Sequence, residues 1–168
     1  MPRLAVLRGR PTAGKTTALY NLKKSKRMKE WVFIDFSQLK NNFDNLSDED
    51  RRSYGKRVLF AILKVIMTSR KNIIFDEMSR EAINKNLKTQ IRKYKYKIIV
   101  FQFTVKTDTA YKRDIKRAEL LEHPKMGREK IDKLYKMHDD RFDKEAILVD
   151  TNKLNKKQVV DLIIKELK

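Results

Sequence analysis

The chain has 168 residues, which is long enough for one domain with a sizeable hydrophobic core. With 41 Lys and Arg against 22 Asp and Glu, the net charge is +19, which excludes an acidic or neutral surface and favours polyanionic partners. The absence of cysteine excludes disulfide frameworks, thiolate catalysis and cysteine metal sites, and two histidines leave little for a zinc centre or a Ser-His-Asp triad.

Short apolar runs alternate with helical patterns along the chain. The predicted strands cover residues 4–7, 31–34, 72–75, 97–101 and 146–149. The predicted helices run from Lys15 to about Lys24, from Ser47 to about Arg70, from Ser79 through Arg92, from Thr107 to about Glu122, from after Gly127 to about His138, and from Asn155 to the carboxyl terminus. Five buried strands separated by helices are typical of a parallel sheet covered on both faces, which binds its ligand at the carboxyl ends of the strands.

The sequence pattern predicts no membrane-spanning segment. The most apolar run, residues 58–67, is about half a membrane span and contains Lys64. The amino terminus lacks the long apolar core of a signal peptide, and we therefore expect a cytoplasmic protein. The positive charge is spread evenly along the chain, which a Lys-rich proteome explains as well as a broad phosphate-binding face does.

The segment between the first predicted strand and the first predicted helix matches G-x-x-x-x-G-K-[ST], the phosphate-binding loop (P-loop). Its glycines let the backbone curl so that successive N–H groups point at a polyphosphate, and the positive end of the following helix faces the same oxygens. Lys15 is expected to reach the β- and γ-phosphates of ATP, and the Thr16 hydroxyl to hold Mg²⁺. A tight turn without a ligand is the alternative. The predicted ATP-binding residues are Gly9, Arg10, Pro11, Thr12, Ala13, Gly14, Lys15, Thr16 and Thr17.

Two carboxylates end predicted strands at the same edge of the sheet. Asp76 is expected to hold Mg²⁺ opposite Thr16, with Glu77 as its substitute or assistant. Asp35 ends the second predicted strand, where a carboxylate can take the proton from a hydroxyl substrate as the general base. For both aspartates, a helix-capping or turn role is the alternative.

Arg113 and Arg117 are four residues apart on one predicted helix. Two guanidinium groups that face one direction suit the charge that grows between the β- and γ-phosphates during transfer, although a solvated basic face is the alternative. The region of about residues 107–140, with the connection over residues 121–128, is predicted to form a lid that closes over the nucleotide. Arg128 is a candidate for a further contact from that connection.

Taken together, these segments resemble the small P-loop kinases of the group that includes 5′-polynucleotide kinase, the kinase domain of seryl-tRNA(Sec) kinase and zeta toxin. The resemblance rests on residues 9–16, 33–36, 72–77, the helix with Arg113 and Arg117, residues 130–135, and residues 148–151 with the closing helix. It implies one kinase domain over residues 1–168, with the three-layer α/β/α P-loop NTPase fold, a five-stranded parallel sheet and a helical lid. It further implies that Asp35 is the general base and that Arg113 and Arg117 hold the ATP phosphates.

The sequence departs from this group in two places. Glu77-Met78-Ser79 stand where the related kinases often carry Thr-Asn, which bears on the acceptor pocket, and Arg10-Pro11-Thr12-Ala13 replaces a more glycine-rich loop interior. We expect an Mg²⁺-dependent ATP phosphotransferase with no obligate protein partner. The net charge favours an RNA or DNA 5′-hydroxyl acceptor over a small molecule or a nucleotide sugar, the latter as for zeta toxin. The alternative outside the kinases is a P-loop NTPase that acts as a switch.

Overall fold

The computed structural model describes residues 1–77, 85–121, 125–137 and 145–168. Its five strands form one sheet in the order β2-β3-β1-β4-β5, and all four neighbouring pairs are parallel. The strands are β1 (Arg3–Gly9), β2 (Trp31–Asp35), β3 (Asn72–Glu77), β4 (Lys97–Thr104) and β5 (Ile147–Asp150). Each predicted strand is therefore confirmed.

The α-helices of the described residues follow the predicted pattern with one addition, and a short 3₁₀ helix, Lys26–Met28, follows the first of them. The α-helices are α1 (Lys15–Lys24), α2 (Phe36–Asn41), α3 (Asp48–Thr68), α4 (Lys85–Lys93), α5 (Thr107–Leu121), α6 (Arg128–Met137) and α7 (Lys156–Glu166). The short helix α2 was not predicted. The predicted helix start at Ser79 and the predicted ends at Glu122 and His138 lie outside the described residues.

Two of the predicted helix starts are capped as expected. The Ser47 hydroxyl accepts a hydrogen bond from the backbone N–H of Asp50, at 3.2 Å, before α3. Asn155 and Gln158 form a reciprocal capping box at the start of α7, in which each side chain accepts from the other residue's backbone N–H. Among the described residues, no helix is long and apolar enough to cross a bilayer.

The central strand β1 is buried on both faces, which explains its continuous apolar sequence. Ala5 and Leu7 face the core that is shared with α1, α5, α6 and α7, whereas Leu4 and Val6 face the core that is shared with α2, α3 and α4. The chain thus has the α/β fold with a parallel sheet between two helical layers, as the sequence predicted. The strand order reverses at β1, between β3 and β4, so the carboxyl end of β1 is the place where such sheets bind ligands.

Candidate active site

The P-loop connects the carboxyl end of β1 to the first turn of α1. Gly9 ends β1 at φ 151°, and a Cβ atom there would lie 2.5 Å from the backbone oxygen of Phe103 on β4. Gly14 precedes α1 in the left-handed conformation, at φ 95°. Both positions therefore require glycine, and together they give the loop the curl that the motif predicts.

The Lys15 side chain is buried beneath this loop. Its ammonium group donates hydrogen bonds to the backbone oxygens of Gly9, at 2.7 Å, and Arg10, at 2.9 Å. Burial lowers the pKa of Lys15 to about 8, although the negative charges of Asp76 and Glu77 oppose the shift. The cation therefore lies inside the curl of the loop, where the phosphates of a nucleotide are expected.

Thr16 and Asp76 are brought together across α1 and β3, as the sequence predicted. The Thr16 hydroxyl donates to Asp76 Oδ2 at 2.9 Å, and the backbone N–H of Phe36 donates to Asp76 Oδ1 at 2.9 Å. Burial raises the pKa of Asp76, and the charge of Asp35 raises it further, while Lys15 and these two hydrogen bonds act in the opposite direction.

The donor set at this point fits Mg²⁺. A hydroxyl and a carboxylate supply the hard oxygen ligands that Mg²⁺ prefers, and the remaining positions would be left to phosphate oxygens and water. A divalent cation would also stabilise the ionised form of the buried Asp76 carboxylate, whose pKa is raised without it. Glu77, which was predicted to replace or assist Asp76 as a metal ligand, is buried beside it. The Thr16 hydroxyl contacts Asp76.

Asp35 has the helix-capping role that was the alternative in the sequence analysis, and its role as the general base remains a prediction. Its Oδ1 atom caps α2 by accepting from the backbone N–H groups of Ser37, at 2.9 Å, and Gln38, at 3.3 Å. Within the described part of the chain, its Oδ2 atom accepts no hydrogen bond, and the side chain is only half-buried. Asp35 pairs in register with Asp76, so both carboxylates lie at the same edge of the sheet as the P-loop. One oxygen of Asp35 caps the helix, and the other remains accessible at that edge.

The guanidinium group of Arg113 lies against the P-loop. It donates to the Thr151 hydroxyl at 2.9 Å, to the Thr151 backbone oxygen at 2.8 Å and to the backbone oxygen of Thr12 at 3.3 Å. The buried Thr151 hydroxyl lies within hydrogen-bond distance of two backbone oxygens, those of Ala13, at 3.1 Å, and Thr104, at 3.0 Å, and can donate to either. Arg113 and Thr151 therefore tie α5, the end of β5 and the P-loop into one unit.

Arg117 has a different partner from Arg113 despite the helical spacing. Its Nη2 atom lies 3.3 Å from Asp114 Oδ1, and the side chain is half-exposed. The buried Asp114 also accepts from the backbone N–H groups of Met126 and Gly127, at 2.8 and 3.2 Å, and so holds the start of α6 against α5. The joint action of Arg113 and Arg117 on a transferred phosphate thus remains a prediction.

The predicted lid region contacts the P-loop through α6. The Tyr135 hydroxyl donates to the backbone oxygen of Pro11 at 3.1 Å, and the Arg10 guanidinium lies 4.5 Å from the centre of the Tyr135 ring. Arg128 bonds instead to Asp108 at 2.7 Å and Asp132 at 3.2 Å, which links the starts of α5 and α6. The connection over residues 122–124 lies outside the described residues, as do His123 and His138.

Sequence reasoning assigned no role to two residues of this site. Thr151 and Tyr135 were noted only as parts of the segments that carry the resemblance. Thr151 lies within two residues of the end of the predicted strand 146–149, and this position at the ligand edge is a signal that could have identified it. For Tyr135 the sequence contains no comparable signal, because its place depends on tertiary packing.

Comparison with known protein families identifies the family of the chain. The sequence profile of the zeta toxin family matches residues 1–166. None of the curated protein sequences matches the chain significantly.

Solved structures show the same fold at low sequence identity. A candidate kinase from Chloroflexus aurantiacus J-10-fl superposes with a TM-score of 0.76, at 18% identity over 99% of each chain. Kti12 from Chaetomium thermophilum, solved with ADP-AlF3, has a TM-score of 0.66, at 18% identity over 98% of this chain and 99% of that one. The Pnkp1/Rnl/Hen1 RNA repair complex contains a chain with a TM-score of 0.62, at 22% identity over 86% of this chain and 47% of that one.

Proposed function

Because the chain belongs to the zeta toxin family and is a P-loop kinase, we propose that it transfers the γ-phosphate of ATP to an acceptor hydroxyl at the carboxyl edge of β1 and β3. The observation that carries this proposal is the arrangement at that edge. The P-loop cation Lys15, the hydrogen-bonded pair of Thr16 and Asp76, and the accessible oxygen of Asp35 belong to adjacent strands and their following turns.

The proposed nucleotide site is formed by residues 9–17. The N–H groups of the loop and of the first turn of α1 bind the phosphates, and the positive end of that helix favours their charge. Lys15 binds the β- and γ-phosphates by exchanging the backbone oxygens of Gly9 and Arg10 for phosphate oxygens. Thr16 and Asp76 would hold Mg²⁺, which when bound neutralises charge on the β- and γ-phosphates.

The proposed reaction needs one proton acceptor next to the acceptor hydroxyl. As the hydroxyl oxygen forms its bond to the γ-phosphorus, the bond from phosphorus to the β,γ-bridging oxygen breaks and ADP leaves with that electron pair. The hydroxyl proton goes to Asp35 Oδ2, the oxygen that the cap of α2 leaves accessible. Arg113 and Arg117 are proposed to offset the negative charge of the transferred group, Arg113 from its place against the P-loop.

The proposed acceptor is the 5′-hydroxyl of RNA or DNA. The net charge of +19 supports it, because a polyanion is attracted to such a surface, and so does the structural likeness to a chain of the Pnkp1/Rnl/Hen1 RNA repair complex. The family match favours a second candidate, a nucleotide sugar, since zeta toxin gives the family its name.

Transfer from labelled ATP tests the proposal. The acceptors are a 5′-hydroxyl oligonucleotide and a uridine diphosphate sugar, and label on either product supports a kinase, whereas label found only in free phosphate indicates a switch NTPase. Asp35→Asn is expected to reduce transfer by about 10²- to 10⁴-fold and to leave ATP binding intact. Asparagine also caps helices well, so the helix is expected to persist. Asp161→Asn, an exposed carboxylate on α7, is the matched control. Normal transfer by Asp35→Asn would show that another group is the base.

A further inference from the structure

The charge that is spread evenly along the sequence is gathered on one face of the folded chain. This face lies at the amino edge of the sheet, where the strands begin and where α1, α3, α4 and α7 end, and it is opposite the P-loop. We call it the basic face, and it is formed by residues 1–3, 23–30, 69–71, 92–97 and 165–168.

Contacts between these segments hold the basic face together. The backbone N–H of Lys97 donates to the backbone oxygen of Pro2 at 2.9 Å, and the Tyr96 hydroxyl donates to the backbone oxygen of Lys71 at 2.7 Å. The guanidinium group of Arg3 donates to the backbone oxygen of the last residue, and the starts of β2 and β3 pair in register. The positions that carry the cations are therefore fixed by the backbone.

Most of the net charge belongs to the basic face. Its 24 residues carry 14 Lys and Arg against two Glu, which gives a net charge of +12 out of the +19 of the chain. An even distribution would give these residues about +3. Thirteen of the 14 cationic residues are exposed, and within the described parts of the chain none of these 13 forms an ion pair with Asp or Glu.

The opposite edge of the sheet, with the proposed active site, carries no such excess. Its described connections and first helical turns contain nine Lys and Arg against nine Asp and Glu, in residues 9–16, 35–52, 76–77, 104–108 and 150–157. The field of the protein therefore attracts a large polyanion mainly to the basic face.

Helix dipoles explain only part of this arrangement. Cations are favoured at the carboxyl ends of helices, which accounts for five residues in the last turns of α1, α4 and α7, namely Lys23, Lys24, Arg92, Lys93 and Lys165. The other nine cations lie outside these turns. Two of them, Arg70 and Lys95, have a left-handed backbone, at φ 53° and 54°, where glycine or asparagine is usual after a helix. The chain thus carries cations at two places where the backbone favours other residues.

The other side chains of the basic face favour a duplex over a single strand or a membrane. Single-strand binding uses exposed aromatic rings on which bases stack. Tyr96 is buried, and Tyr94 is half-buried with the Lys93 ammonium group 5.3 Å from its ring centre. Binding to a membrane surface combines cations with exposed apolar side chains, and of the large apolar residues that are exposed in the described chain only Met1 belongs to this face. A duplex needs neither, since it presents one negative charge per about 1.7 Å of its axis.

We propose that the basic face binds double-stranded nucleic acid through its phosphate backbone, without reading the base sequence. RNA and DNA duplexes share this chemistry. The face is separate from the proposed active site, so the inference does not depend on the proposed function.

Salt-dependent binding tests the proposal. The probes are labelled RNA and DNA duplexes of about 20 base pairs with 5′-phosphate ends, which offer no 5′-hydroxyl to the proposed active site, and binding is followed by fluorescence anisotropy. If the face contacts about six phosphates, the wild-type affinity should fall about 10³-fold between about 50 and 200 mM salt. The duplex that binds more tightly identifies the nucleic acid.

A variant of four positions removes charge from the centre of the basic face, namely Arg70→Asn, Lys71→Gln, Lys95→Asn and Lys97→Gln. Its affinity should fall about tenfold or more at 100 mM salt, and the slope of log affinity against log salt should decrease by about 3. Asparagine suits the left-handed backbone at positions 70 and 95, so the fold is expected to persist. Arg70→Asn with Lys95→Asn alone should lower the affinity about threefold or more and provides the test if the fourfold variant does not fold.

The matched control removes the same charge from exposed positions on α5 and α6, namely Lys112→Gln, Lys116→Gln, Lys130→Gln and Lys133→Gln. It should change the affinity by less than about threefold. Equal losses in the two fourfold variants would overturn the proposal, as would a wild-type affinity that does not respond to salt. Tighter binding of a single strand of the same length would refute the preference for a duplex. Binding to phosphatidylserine vesicles that depends on the same four cations, without binding to either duplex, would assign the face to a membrane instead.

Discussion

ATP binding should weaken as the pH rises because Lys15 must be protonated to bind phosphate. In the nucleotide-free protein burial lowers the pKa of Lys15 to about 8, from an ordinary value near 10.5. A bound triphosphate brings negative charge to the ammonium group and returns this pKa toward or above its ordinary value. Binding above pH 8 therefore takes up a proton, and affinity falls with the protonated fraction of the free protein.

The pKa sets the size of the effect. About three quarters of the free protein carries a protonated Lys15 at pH 7.5, and about one tenth does at pH 9, so the dissociation constant for ATP should rise about eightfold between these two pH values.

The stability of the nucleotide-free protein should increase, not decrease, as the pH rises. Because the unfolded chain binds more protons than the folded chain between about pH 8 and 10.5, this residue makes the free energy of unfolding rise with pH over that window.

Calorimetry in buffers of different ionisation enthalpy measures both the affinity and the proton uptake. ATP is titrated in the presence of EDTA, so that no metal ion contributes to the pH dependence. We expect uptake of nearly one proton per ATP at pH 9 and much less at pH 7.5. Lys15→Met should bind ATP more weakly and without this trend, and its unfolding should lack the wild-type rise in stability. An affinity that is the same within twofold at both pH values, with no proton uptake at pH 9, would refute the reasoning.

Three further substitutions test the packing around the site. Gly9→Ala places a Cβ atom 2.5 Å from the backbone oxygen of Phe103, so we expect the free energy of unfolding in urea to fall by about 2–3 kcal/mol and ATP binding to be lost; wild-type stability would contradict the loop geometry. Thr151→Val removes the hydroxyl that bonds to Arg113, which should cost about 1–3 kcal/mol in urea unfolding and raise the KM for ATP; an unchanged KM would show that this tie does not support the nucleotide site. Gly55→Ala gains up to about 1 kcal/mol of helix propensity but displaces α2, so the KM for the acceptor should rise at constant ATP affinity, and an unchanged acceptor KM would argue against the close approach.

The strands could be predicted because burial on both faces leaves a clear mark on the sequence. A strand such as β3 has apolar residues on both sides until its carboxyl end, and there Asp76 marks the point where the chain reaches the ligand edge. Helix α2 could not be predicted, since six residues are too few for helical periodicity to be visible. It is stabilised by the Asp35 cap and by the hydrogen bond from the Phe36 N–H to Asp76, and the second of these is a contact across the fold.

The same distinction applies to the site. Gly9, Lys15 and Thr16 belong to a motif whose spacing already implies its geometry, and the Thr16–Asp76 contact follows from the parallel strands. The helical spacing of Arg113 and Arg117 predicted a shared face, but it does not determine which groups meet each guanidinium. Thr151 and the P-loop occupy Arg113, and the buried Asp114 occupies Arg117. Such pairings depend on how α5 packs against β5 and α6, which local sequence does not encode.

Helix α2 connects two parts of the proposed reaction. Asp35, the proposed base, caps its first turn, and the N–H of Phe36, the first residue of the helix, donates to Asp76, the proposed metal ligand. Gly55 of α3 allows this helix to pack closely, since a Cβ atom there would lie 3.3 Å from the Cα and Cβ atoms of Lys40. Any movement of α2 on α3 should therefore shift the proposed base relative to the P-loop, which is why Gly55→Ala tests the site as well as the packing.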